Sequence, residues 1–162
     1  MTVRRLGPDD LEAFKALRLE SLKLDPDNYA SDWDVWAGYS DEIWLQFLDE
    51  PTFGAFDGDK AIALMGLIPQ TKSRMAHRAG IGMVWVAPDN RGAGVADALL
   101  VACLEEAERM GCVQVELSVN SENARAISFY RRHGFEDYGT LPRGFRTSDG
   151  FVDDLLMVKK LD

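Results

Sequence analysis

The residues best placed to do chemistry in this chain are grouped in Arg91-Gly92-Ala93-Gly94-Val95-Ala96. The run before them, Met83-Val84-Trp85-Val86, is β-branched and aromatic and suits a buried strand. Ala87-Pro88-Asp89-Asn90 ends that run with turn formers. Behind the glycines, Val95, Leu99, Ala102 and Ala107 recur at helical spacing, widened by Leu100, Cys103 and Leu104, and Gly111 provides a C-terminal stop. Such a strand, glycine turn and helix start collects unpaired N–H groups and the positive end of a helix dipole, a setting that favours an anion. Gly92 and Gly94 have no Cβ to block approach to the main chain. Arg91 adds a positive charge, and Ala96 is small. The same residues also fit a glycine turn that needs only positive φ, because short glycine motifs have low specificity. Two other phosphate motifs fail. A dinucleotide fingerprint needs a third glycine where Asp97 stands, and a nucleoside-triphosphate loop needs Gly-Lys-Ser/Thr.

Arg91-x-x-Gly94-x-Ala96 after a valine-rich strand resembles the acyl-CoA pyrophosphate loop of the GNAT superfamily of N-acetyltransferases. A second stretch, Asn123-x-x-Ala126-x-x-x-Tyr130-x-x-x-Gly134-Phe135, resembles that family's following helix and strand start, in the same order and at a matching distance. The detailed match runs from about Ala76 to the C-terminus, and the first half agrees only in pattern. Asp97 is a departure, standing where the family often carries a basic residue. Its carboxylate suits a helix N-terminus but repels a phosphate unless the side chain turns away.

The resemblance implies acetyl-CoA as co-substrate and no metal. Arg91, Gly92, Gly94 and Ala96 would hold its pyrophosphate, backbone groups of Val84 and Val86 its pantetheine, and Asn123 and Tyr130 the region of the thioester. It implies direct acetyl transfer to a primary amine: a small metabolite, an amino-acid analogue, an antibiotic or a protein amine. An alternative of another class is a CoA-binding regulatory or scaffold module without turnover. Transfer requires that the amine lose a proton, that a donor meet the oxyanion and that the thiolate be stabilised. No acyl-enzyme is needed when both substrates bind side by side.

By the resemblance Tyr130 faces the thiolate and is the candidate general acid. A phenol pKa of about 10 against about 8.5 for a thiol makes the transfer slightly uphill, so a modest environmental shift would suffice. Asn123 is also a favoured N-cap. For the general base the residues leave a set open: Glu116 on a strand beside the cofactor, Asp32, Asp34, His77, or a water chain. Asp32 and Asp34 lie in the aromatic and acidic stretch Tyr29 to Tyr39, with Trp33 and Trp36. Carboxylates and indole faces both attract an ammonium group, which marks this stretch as an acceptor site.

The elements that must position these groups follow from length and pattern. The 162 residues, 46% hydrophobic and 28% charged, fit a single domain over 1–162 with a sizeable core. A net charge of −9 argues against a nucleic-acid partner. No apolar run approaches the ~20 residues of a membrane span, and Met1 to Leu6 lacks a signal-peptide core. The expectation is a cytoplasmic protein, with homodimerisation left open. Cys103 and Cys112 form no disulfide or metal framework. Leu11, Phe14, Leu17, Arg18 and Leu22 predict a first helix, and Asp41 to Leu48 a second. Strands are expected at Thr2–Leu6, Thr52–Phe56, Ala61–Ile68, 79–87, Val113–Val119, Phe135–Leu141 and Val152–Leu161, with a polar loop from Pro142 to Gly150. The order βααβββαβαββ describes an α/β fold of the α+β type, a mixed, mainly antiparallel sheet with helices on both faces. The resemblance adds that 79–87 and 113–119 run parallel and splay apart.

Overall fold

Seven strands form one sheet in the computed structural model, which describes residues 1–162. They are β1 (Thr2–Arg5), β2 (Thr52–Asp57), β3 (Lys60–Pro69), β4 (Arg78–Val86), β5 (Gln114–Asn120), β6 (Glu136–Thr147) and β7 (Gly150–Lys160). Their order across the sheet is β1-β2-β3-β4-β5-β7-β6. Every neighbouring pair is antiparallel except β4 and β5, which run parallel. The helices are α1 (Leu11–Leu24), α2 (Trp33–Ala37), α3 (Asp41–Phe47), α4 (Val95–Arg109) and α5 (Ala124–Arg132). This is the mixed α/β architecture expected, with a mostly antiparallel sheet.

Alternation along the strands sends side chains to two separate cores. Ala63, Met65 and Leu67 of β3 join Leu99, Leu100, Cys103 and Ala107 of α4 and Ile127 and Tyr130 of α5. Leu64 of β3 and Trp85 of β4 point the other way, to Phe14, Leu17 and Leu22 of α1, Trp36 of α2 and Trp44 of α3. So α4 and α5 cover one face, and α1 to α3 cover the other. Local chemistry sets the helix starts. Ser40 accepts from the Ile43 N–H at 3.4 Å, and Asn123 accepts from the Ala126 N–H at 3.2 Å, each an N-cap. No helix is long and apolar enough to cross a membrane.

Two stretches differ from the expected pattern. The aromatic stretch contains a helix of its own, the five-residue α2, so three helices precede β2. Five residues are too short to show a helical period, and only Trp36 among them is buried. The expected loop from Pro142 to Gly150 is mostly strand, because β6 and β7 form one long hairpin. Its middle is a bulge with a register shift between Leu141 and Phe145, and Arg143 there has φ 52°. Pro and Gly read as breakers, yet an edge strand accommodates both at a bulge. Gly144 is required at this point, since a Cβ there would lie 2.7 Å from Asp154 side-chain atoms.

Candidate active site

The parallel pair β4 and β5 is joined only from Arg78 to Gly80, opposite Gln114 to Glu116. Beyond that, residues 81–86 have no partner on β5, so the strands part. A bulge turns β4 further: Met83 has φ 54°, and the register with β3 shifts between Leu64 and Gly66. Gly66 makes room for it, as a Cβ there would lie 2.7 Å from the Met83 methyl carbon. The parted strands open a cavity of about 1100 Å³. Its walls come from both faces of the sheet: Arg91, Gly92, Gly94, Ala96, Asn123 and Tyr130 on one side, Arg18, Tyr29, Trp36 and Phe47 on the other.

At the start of α4, Gly92 and Gly94 have φ of 79° and 78°, which favours glycine. A Cβ on either would meet no protein atom within 4 Å. The space it would occupy is therefore open, as a cradle for a ligand oxygen requires. Free N–H groups at the first turn of a 15-residue helix fit a pyrophosphate there. Asp97 turns toward α5, accepting from Arg132 Nη2 at 3.3 Å and lying 2.8 Å from His133 Nε2. The His133 hydrogen bond, followed by Arg132, holds this carboxyl below its ordinary range. Its charge is thus matched locally, which answers the departure noted at this position.

The Arg91 side chain folds back along the strand end. Its Nε donates to the Val86 carbonyl at 2.9 Å and its Nη2 to Asp25 Oδ2 at 2.8 Å. Asp25 Oδ2 also accepts from Trp85 Nε1 at 2.8 Å. The Tyr29 hydroxyl donates to the Val84 carbonyl at 2.7 Å. The carbonyls of Val84 and Val86 therefore already carry one hydrogen bond each, leaving a second lone pair and the strand N–H groups for a ligand. The loop after α1 is pinned across the gap, with the Asp27 carbonyl accepting from Asn120 and Asn28 Oδ1 accepting from Asn123 Nδ2 at 3.3 Å.

Tyr130 lines the cavity, is 6% exposed and packs edge-on against Phe129 and Phe135. Burial, ahead of the neighbouring Tyr29 and Cys103, pushes its phenol pKa well up. That is opposite to the shift that would ease full proton transfer to a thiolate. The phenol is fixed as a neutral hydrogen-bond donor. A thiolate entering the same apolar setting is disfavoured by the same desolvation, so a donor there still has value.

The acidic candidates are dispersed. Glu116 lies at the joined end of β4 and β5, outside the cavity, and is gripped by the Arg78 guanidinium and by Gln114 Nε2 at 2.9 Å. The Arg78 hydrogen bond holds its carboxyl below the usual range, which makes it a poor proton acceptor. Asp32 and Asp34 are exposed and also lie outside the cavity lining. His77 is exposed and outside it too. The carboxylates that reach the cavity on the α3 and β7 sides are Glu50 and Asp154. Asp154 has no salt-bridge partner, and burial raises its pKa. A carboxylate in the middle of Phe151-Val152-Asp153-Asp154-Leu155-Leu156, on the strand face of Val152 and Leu156, was the available sequence signal. No group of three or more His, Cys, Asp or Glu side chains is placed to hold a metal.

Comparison with known proteins agrees with this geometry. The Acetyltransferase (GNAT) family profile matches residues 16–135. An uncharacterized N-acetyltransferase of Methanocaldococcus jannaschii is 33% identical over 84% of this chain, and the chain spans about three fifths of that relative, 61% of its length. Among solved structures, a GNAT-family acetyltransferase of Streptococcus pneumoniae superposes with a TM-score of 0.88 at 24% identity, covering 99% of each chain. A second, the acetyltransferase yncA of Salmonella typhimurium described with its cofactor acetyl-CoA, gives 0.87 at 18% identity, covering 100% of this chain and 94% of the other. At these identities the superpositions speak to the fold.

Proposed function

Because the chain belongs to the Acetyltransferase (GNAT) family, we propose that it transfers the acetyl group of acetyl-CoA directly to a primary amine. The observation that carries this reading is the cavity through the β4–β5 gap, which joins the glycine turn of α4 to a compartment under α1–α3. Two substrates entering from opposite faces meet there. The turn Gly92–Ala96 takes the pyrophosphate, with the Arg91 charge nearby, and the unpaired edge of β4 at Val84 and Val86 takes the pantetheine amides. Asn123 fixes the start of α5, which carries Tyr130 into the cavity.

The amine nitrogen attacks the thioester carbonyl, forming the C–N bond, and the C–S bond then breaks. Tyr130 donates a hydrogen bond to the departing sulfur. Asp154 takes the amine proton, since a carboxylate penalised by burial is the better base. No enzyme nucleophile enters: Cys103 is buried outside the cavity, and burial pushes its thiol up to about 12. A cytoplasmic setting belongs to this proposal, consistent with two free thiols.

Calorimetry with acetyl-CoA and free-thiol release across a panel of primary amines test the assignment together. The expected outcome is binding plus amine-dependent thiol release. Binding with no release for any amine would favour a silent CoA-binding module.

A further inference from the structure

Arg18 carries a charge that the protein leaves without an anionic partner. It lies on the buried stripe of α1 and is 3% exposed. Its Nε and Nη1 are buried and have no hydrogen-bond partner. The guanidinium carbon sits 4.5 Å from the Trp36 ring centroid and 4.9 Å from that of Tyr29. Aromatic faces stabilise a cation from above and below, but they offer no acceptor to the N–H groups in its plane. Burial pushes the pKa down, to about 10, and only the Tyr29 phenol opposes the fall, with no carboxylate acting. The group is therefore charged at neutral pH. The two acidic residues on the adjoining loop are already committed, Asp25 to Trp85 and Arg91 and Asp27 to Ser148.

A buried, unpaired guanidinium is costly to folding, and replacing it with an apolar side chain would relieve that cost. Its position suggests what offsets the cost. Arg18 lines the same cavity as Tyr130, on the side of the sheet away from the α4 turn. The planar N–H edge of arginine matches a carboxylate through two parallel hydrogen bonds. We propose that Arg18 anchors a carboxylate carried by the amine acceptor, so that the acceptor is an α-amino acid or a close zwitterionic analogue. The ammonium end then faces Glu50 and Asp154, carboxylates that line the same cavity. This assignment rests on the acetyltransferase reading for the identity of the second substrate.

The probes are the twenty L-amino acids, each paired with its own carboxamide, which keeps the amine and side chain and removes the carboxylate. Binding to CoA-saturated protein is measured by calorimetry, and turnover with acetyl-CoA by thiol release. In the wild type at least one amino acid should bind about 100-fold or more tightly than its carboxamide, as expected for a buried bidentate pair. Arg18→Met should abolish that preference, with the affinity for acetyl-CoA unchanged and Tm not lowered. Arg18→Lys keeps the charge without the planar fork and should retain part of the preference, which also serves if the methionine variant folds poorly. The proposal is overturned if no amino acid outbinds its carboxamide, or if Arg18→Met keeps the preference. Thiol release only with carboxylate-free amines would sink this assignment and leave acetyl transfer standing. Amino-acid binding through Arg18 without any thiol release would do the reverse.

Discussion

In the mechanism proposed above Tyr130 and Asp154 divide the proton chemistry between them, and each role can be separated from binding. Phenylalanine at position 130 keeps the ring packing against Phe129 and Phe135 and removes the donor. Tyr130→Phe should lower kcat by about 100-fold, the low end for acid assistance because a thiolate leaves readily. The affinity for acetyl-CoA should change little. Since burial raises the phenol pKa, no high-pH fall in kcat from Tyr130 should appear below about pH 10. A wild-type kcat in this variant would reduce Tyr130 to packing. For Asp154 the sign is the other way. Its pKa is raised, so kcat/KM should climb with pH through a value above the ordinary carboxylate range of about 3.9. Asp154→Asn should remove that limb and cost about 100-fold in kcat. Ionised Asp154 is penalised in the folded state, and the stability tied to its protonated form is lost as pH rises through the folded pKa. The uncharged Asn should therefore leave Tm at pH 7 unchanged or slightly higher. A large fall in Tm would point to a structural role instead.

At the scale of the element, the strand–turn–helix unit β4–α4 can be tested at one position. Gly94 caps α4 with φ 78° and open space around its missing Cβ. Valine there both strains the backbone and fills the cradle, whereas asparagine tolerates positive φ and only fills it. Both Gly94→Val and Gly94→Asn should weaken acetyl-CoA binding by at least about 10-fold, with a marked Tm loss for valine alone. Binding at wild-type strength by folded Gly94→Asn would move the phosphate site elsewhere. This unit was legible in the sequence because its signals are local: a β-branched run, glycines, then a 3.6-residue period. The N-cap role of Asn123 was legible for the same reason. Elements whose identity depends on distant partners were less so. The bulge at Pro142-Arg143-Gly144 holds strand geometry only because β7 lies alongside, and α2 is shorter than its own period. Arg18 stood visibly on the apolar stripe of α1, but whether such a side chain snorkels to water or stays buried is decided by Tyr29 and Trp36. Glu116 belongs to the open set of candidate bases by its strand alone, and its engagement by Arg78 depends on the β4–β5 register.

For the molecule as a whole, the arrangement amounts to two half-sites on opposite faces of one sheet, joined where two parallel strands part. In the proposed reading α4 and α5 with their core take acetyl-CoA, and α1 to α3 with their aromatic core take the acceptor. The loop after α1, tied to Trp85, Arg91, Asn120 and Asn123, holds the two halves in register across the gap. On the proposed reading both substrates are present together before the acetyl group moves. The most direct measurement is therefore the initial rate of thiol release with acetyl-CoA and an active amine varied against each other. Double-reciprocal lines that intersect, with one thiol released per acetylated amine, are the result this account predicts. Parallel lines, the mark of an acyl-enzyme formed before the amine binds, would contradict it.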